Sequence, residues 1–178
     1  MPNTDGGRAD HAKADPPFTA QRITRSYRQT IDAPPATVFP LLCPVREAEW
    51  LDGWRYRMLY SVSGLVEPGA VFSTPNDGEA DTVWIVAQHD PEMFQVVFAR
   101  FTPESRTCTL TLAVTPVERG RSSVDVCYTY TGLTPAGNAC LERFTAEAFL
   151  AAVTFWEASM NHFLKTGARL PTGSCTAP

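Results

Sequence analysis

TPAGNACLERFTAEAFLAAVTFWEASMNHFLKTG, residues 134–167, is the stretch that decides the fold. Thr134 offers a side-chain oxygen to the first free amides of a helix, and Pro135 suits the first helical position, where no donor is needed. No breaker is read before Gly167, a natural stop after Lys165, so the pattern predicts one helix of about thirty residues. Its apolar side chains cover far more than a narrow stripe: Leu141, Phe144, Ala148, Phe149, Ala152, Val153, Phe155, Trp156, Met160 and Phe163. A helix that apolar has to be buried over most of its length, and a curved sheet is the obvious partner.

The sheet lies upstream. In residues 107–117, Cys108, Leu110, Leu112 and Val114 share one face, and threonines occupy the other. In residues 122–133 the corresponding face carries Val124, Val126, Tyr128 and Tyr130. Both apolar sets are even-numbered, so they meet only if opposed numbers sum to an even value, as with Leu112 opposite Tyr128. That demands an odd-length loop or a bulge around Glu118–Arg121 and disfavours a two-residue turn at Arg119-Gly120. Residues 55–63, 70–74, 82–89 and 93–101 also read as strands, and their short connections, including the turn Pro75-Asn76-Asp77-Gly78, imply successive antiparallel hairpins. A four-residue loop at 102–105 would turn Gln95, Val97, Ala99 and Phe101 inward and Arg100 outward, but the inward parity of that strand is left open. Residues 21–31 form the first strand, with Ile23, Tyr27 and Ile31 on one side. Short helices follow at 36–42 and 45–51, kept short by Pro40 and Pro44, which remove amide donors and crowd the preceding turn.

The order is strand, two short helices, six strands, long helix. With IDAPPATVFPLL at residues 31–42 and LTPAGNACLERFTAEAF at 133–149, this arrangement resembles the START-like or Bet v 1-like superfamily, which includes SRPBCC and polyketide cyclase/dehydrase-like proteins. The likeness spans roughly residues 20–167. It implies an α+β helix-grip fold: a seven-stranded curved antiparallel sheet, two short helices after the first strand, and a long C-terminal helix enclosing a cavity. Members of this group divide among carriers, receptors, cyclases and binders, so the fold alone assigns no function. The polar ends, 1–19 and 168–178, are expected to be a disordered N-terminal tail and a flexible C-terminal tail around one ligand-binding domain at 20–167.

Composition narrows the partners. The 178 residues carry a net charge of −4 and no basic stripe, which argues against nucleic acid. The richest apolar run, 146–155, is interrupted by Glu147 and Thr154, so no stable membrane insertion is expected. Without a signal-like segment in residues 1–17, a cytoplasmic location is expected. The five cysteines form no CxxC and have no histidine at metal-ligand spacing, so they read as small buried hydrophobes plus one tail thiol, with no metal. GxSxG, P-loop, GxGxxG and HExxH motifs are absent, and no cofactor is expected. A homodimer is left open.

Three clusters could carry chemistry. Residues 46–56, with Trp50, Trp54, Tyr56 and two glutamates, lie beside the cavity mouth if the resemblance holds; alternatively the tryptophans seal the small helices onto the sheet with both glutamates in water. Tyr56, Tyr60, Tyr128 and Tyr130 could orient a ligand oxygen, joined by His89 or Arg100, or could be ordinary core tyrosines. His162 could act as a general base or merely complement the helix terminus. The ligand-binding set read from these patterns is Trp50, Tyr56, Met58, Tyr60, Leu110, Leu112, Tyr128, Tyr130, Phe144, Ala148 and Phe155, with no catalytic residue assigned. Three functions compete: binding of a small hydrophobic or aromatic molecule as carrier or sensor, a cofactor-free cyclase or dehydratase, and a protein-interaction module. An acid or base converging with a tyrosine inside the cavity would favour the second. A filled core with a large exposed apolar patch would favour the third.

Overall fold

A computed structural model of the chain describes residues 17–76 and 78–172. Most of each expected tail, and Asp77 of the 75–78 turn, lie outside the described residues.

Strand β1 (Arg22–Ile31) alternates as its sequence does, turning Ile23, Tyr27, Gln29 and Ile31 inward. Pro34 and Pro35 then open α1 (Pro35–Val38), followed by a 3-10 turn (Phe39–Leu42) and α2 (Pro44–Trp50). A proline starts or nearly starts each of these short elements, where its missing donor costs nothing. They bury Val38, Leu41, Leu42 and Trp50 against the sheet. Six strands follow: β2 (Arg57–Tyr60), β3 (Val71–Thr74), β4 (Thr82–Asp90), β5 (Gln95–Thr102), β6 (Arg106–Val117) and β7 (Arg121–Gly132). With β1 they form one antiparallel seven-stranded sheet in the order β1-β7-β6-β5-β4-β3-β2.

The loops set which face each strand turns inward. Val117 pairs with Arg121 across the three residues Glu118–Gly120, with Arg119 in the left-handed region at φ 63°. The odd loop expected from the parity is present, and Leu110 faces Tyr128 while Leu112 faces Val126 rather than Tyr128. Between β5 and β6 the four-residue loop is corrected to three. Thr102 pairs with Arg106, and Glu104 takes the left-handed position at φ 57°. One residue fewer reverses the face, because side chains alternate along a strand. Val96, Phe98 and Arg100 therefore turn inward, and Phe101 is 45% exposed.

The single long helix is also corrected. The chain forms α3 (Pro135–Arg143) and α4 (Ala146–Thr166), interrupted at Phe144 (φ −81°, ψ 68°) and Thr145. Thr145 accepts from the Ala148 amide at 3.2 Å and so starts a helix of its own, a competition that threonine offers wherever it meets free amides. Nor is α4 buried all round: it buries Phe149, Val153, Ser159 and Met160, whereas Leu150 is 48% exposed. Helix α4 is tied to β1 on one side. Gln29 donates to the Val153 carbonyl at 2.8 Å, and Asn161 holds both the Thr30 carbonyl (2.9 Å) and the Asp32 amide (2.8 Å). Helix α3 presses on the β5–β6 loop so closely that a Cβ on Gly137 would sit 1.8 Å from the Ser105 carbonyl oxygen. Gly167, in the left-handed region, ends α4 as expected.

Candidate functional site

A cavity of about 420 Å³ lies between the inner sheet face and the helices. Its floor comes from inward-facing positions on five strands: Phe72, Trp84, Phe98 with Arg100, Leu110, and Tyr128 with Tyr130. Its other walls are Phe144 at the helix break, Phe149, Ala152, Val153, Phe155 and Trp156 on α4, and Pro44, Glu47 and residues 51–54 at the α2 end. The rings pack edge to face or stacked. Tyr128 stacks on Tyr130 at 5.8 Å between centroids, Phe144 meets Tyr130 at 4.8 Å, and Trp84 stacks on Phe72 at 5.3 Å. Aromatic walls of this kind suit a flat apolar body.

Few polar groups enter. Arg100 donates to the Tyr130 hydroxyl, and its guanidinium carbon lies 4.7 Å from the Trp84 ring centroid and 4.9 Å from that of Tyr130. Glu47 is only 8% exposed, and among the described residues nothing hydrogen-bonds its side-chain carboxyl group. Burial pushes that carboxyl up to about 8, so at neutral pH it holds its proton. Burial also raises the Tyr128 phenol, and raises Tyr130 to about 12 against the opposing pull of Arg100. Asp52, at the rim, is held below its ordinary value by the amide and hydroxyl of Thr172, which it accepts at 2.9 and 2.8 Å. Among the described residues no cluster of histidine, cysteine, aspartate and glutamate could hold a metal.

Of the residues expected to bind ligand, Leu110, Tyr128, Tyr130, Phe144 and Phe155 line this cavity. Trp50 does not: it is 0% exposed, donates to the Leu41 carbonyl at 3.0 Å and packs 5.8 Å from Trp156, sealing α2. The alternative reading is corrected for its other members, since Trp54 lines the cavity and Glu47 is buried rather than in water. Leu112 lies in the solid core, and Tyr56 and Met58 pack on it from the side. Tyr60 is 60% exposed because β2 is a short edge strand whose register slips between Met58 and Tyr60, redirecting the side chain. Ala148 is exposed and absent from the lining, since the inward line of α4 runs through Phe149, Val153, Trp156 and Met160; Ala152, one turn on and also exposed, reaches the edge of the cavity wall.

The candidate set omitted Glu47, Trp84, Phe98 and Arg100. Glu47 is three residues from both Pro44 and Trp50 on the buried side of α2, whereas Glu49 faces out and pairs with Arg46. That i, i+3 spacing was the available signal. His89 stacks on Phe39 at 5.2 Å and is held below its ordinary value by burial, outside the cavity. His162 also lies away from the lining, and its neighbour Asn161 is a structural tie between α4 and β1.

No family model and no curated protein sequence matches the chain. Solved structures do resemble it. An uncharacterised protein of Rhizobium leguminosarum is 16% identical with a TM-score of 0.59, the alignment covering 83% of this chain and 97% of that one. Norcoclaurine synthase from Thalictrum flavum, in complex with dopamine and hydroxybenzaldehyde, is 14% identical with a TM-score of 0.59, covering 83% and 89%. Ara h 8.0201 is 15% identical with a TM-score of 0.50, covering 65% and 81%. Identities this low speak for the fold, and with the seven-stranded curved sheet and C-terminal helix they make this chain a protein of the Bet v 1-like helix-grip fold.

Proposed function

We propose that the protein binds a small hydrophobic or aromatic molecule in the cavity between sheet and α4, as a carrier or sensor. The observation that carries this reading is the cavity itself. Its volume of about 420 Å³ falls within the range of small-molecule sites, roughly 300–1,000 Å³, and its walls are aromatic. The solved complex of norcoclaurine synthase with dopamine and hydroxybenzaldehyde supports it, because both of those molecules are small aromatics. In the cytoplasm, the location this reading adopts, the thiols of Cys43, Cys108, Cys127 and Cys140 stay reduced. The test is a panel of neutral apolar fluorophores titrated against the native protein and Ala152→Trp. Binding to the native protein and at least tenfold weaker binding to the variant are expected; equal binding by both refutes the site.

Glu47 favours a second reading, a cofactor-free enzyme of the cyclase or dehydratase kind. A buried carboxyl poised near 8 suits proton transfer at neutral pH. Among the described residues, however, neither Tyr128 nor Tyr130 hydrogen-bonds a carboxylate, so binding ranks first.

A further inference from the structure

Arg100 lines two cavities. The second, about 310 Å³, is bounded by Arg100, Tyr130 and Phe144, which it shares with the first, and by Glu79, Arg106, Cys140, Leu141 and Arg143. The charges around the shared wall do not cancel. Glu79 is engaged by Arg106 at 2.8 Å and accepts from the Ser105 hydroxyl at 2.8 Å. Among the described residues neither Arg100 nor Arg143 forms an ion pair; Arg143 points an amino group at the Cys140 sulfur at 3.1 Å. Within the main cavity Glu47 carries a proton at neutral pH, leaving Arg100 as its inner charge. The rings of Trp84, Tyr128 and Tyr130 offset part of the cost of a cation held there, since each presents its negative face. A guanidinium confined among apolar walls without a carboxylate still favours any anion that can reach it.

Resting on the binding reading above, we infer that the ligand is an aromatic monoanion whose carboxylate or enolate oxygen pairs with Arg100 where the two cavities meet. The flat body lies among Trp84, Phe98, Phe149 and Phe155, and the charged end points toward Arg143. A planar guanidinium matches two oxygens at once, which an ammonium does not. Tyr130 accepts from Arg100, and its own O–H lies beside the Cys108 sulfur, a weaker acceptor than an anionic oxygen, so it can turn to the anion; the Tyr128 hydroxyl has no acceptor among the described residues. Both phenols keep their protons at neutral pH.

The ionisable groups facing the anion are Arg100 on β5, Cys108 on β6, Tyr128 and Tyr130 on β7, Glu47 on α2 and Asp52 at the rim. Around the second cavity they are Glu79, Arg106, Cys140 and Arg143. Asp52 and Glu79 are already ionised at neutral pH, and burial holds Cys108 above its ordinary value. Glu47 is the carboxyl among them that gains charge just above neutrality, and an anion opposed by it binds less well.

The experiment compares 2-naphthoate with its neutral isostere 2-naphthamide by calorimetric titration at pH 7 and pH 9. The native protein is expected to bind the acid about tenfold or more tightly than the amide at pH 7, as charge-assisted bonds exceed neutral ones. That ratio should fall at pH 9, stay level with pH in Glu47→Gln, and approach one in Arg100→Gln. Equal affinity for both compounds in the native protein overturns this inference while leaving the binding reading intact. Failure of both compounds to bind overturns the binding reading and this inference with it. The acid–amide comparison needs no variant, so misfolding of Arg100→Gln does not protect the inference.

Discussion

Replacing Glu47 with Gln should remove a fall in stability that the native protein shows between about pH 5 and pH 9. The carboxyl is buried without a hydrogen-bond partner among the described residues, and burial moves it from an ordinary 4.5 to about 8. Between those values the folded state keeps the proton and the unfolded chain has released it. Stability therefore drops as pH rises through the window and levels off above it. At about 1.36 kcal/mol per tenfold change in proton affinity, the displacement from 4.5 to about 8 corresponds to an upper value of about 5 kcal/mol. Glu47→Gln carries no charge at any pH. The variant and native protein should be nearly equally stable at pH 5, where both side chains are neutral, and the variant should lead by several kcal/mol at pH 9. His89 works in the opposite sense: burial lowers its value, so it favours the folded state as pH rises through its ordinary 6.5. Because His89 is common to both proteins, the difference between them isolates Glu47. Urea denaturation followed by tryptophan fluorescence at pH 5, 7 and 9 measures it. A stability gap that stays constant from pH 5 to pH 9 would refute a buried, protonated Glu47.

Other consequences follow from the packing. Trp50→Ala should cost about 3–5 kcal/mol in chemical denaturation, because the ring is wholly buried and its indole N–H donates to the Leu41 carbonyl. Gly137→Ala should destabilise by about 1–3 kcal/mol, since its new methyl would meet the backbone oxygen of Ser105; an unchanged midpoint would show that α3 does not press on that loop. Thr145→Ala should cost about 1 kcal/mol through loss of the cap on the Ala148 amide, read as a lowered melting temperature. Tyr60→Ala should leave stability within about 0.5 kcal/mol of the native value, in keeping with an exposed edge position.

Where local physics acts alone, the sequence was enough. The even faces of β6 and β7 required an odd loop, and Glu118–Gly120 supplies it. Proline placement after β1 announced short helices, and the mainly apolar 134–167 segment announced a sheet to hold it. What escaped depended on a single residue's choice between two acceptable structures. A loop of three rather than four residues at Pro103–Ser105 turned Arg100 into the cavity, and nothing in that segment distinguishes the two lengths until β6 pairs with β5. Thr145 could have continued a helix or capped a new one, and the tertiary position of Phe144 over Tyr130 accompanies the second choice. Glu47 was visible in its spacing from Pro44 and Trp50, yet a charged residue on a short helix is usually solvated. On α4 the cavity wall includes Ala152 and not Ala148, and its polar anchors are Tyr128 and Tyr130 with Arg100, one of the two partners the tyrosines were expected to have, and with Glu47, which was not among them.

The account stands most directly on where an aromatic molecule sits. Methyl-resolved NMR of the native protein titrated with neutral 2-naphthamide reads this through ring-current shifts, independently of charge. The account predicts saturable shifts at Leu110, Ala152 and Val153, with the exposed Val62 and Leu65 unmoved. Saturable shifts centred on Val62 and Leu65, or none at the three cavity methyls, would contradict it.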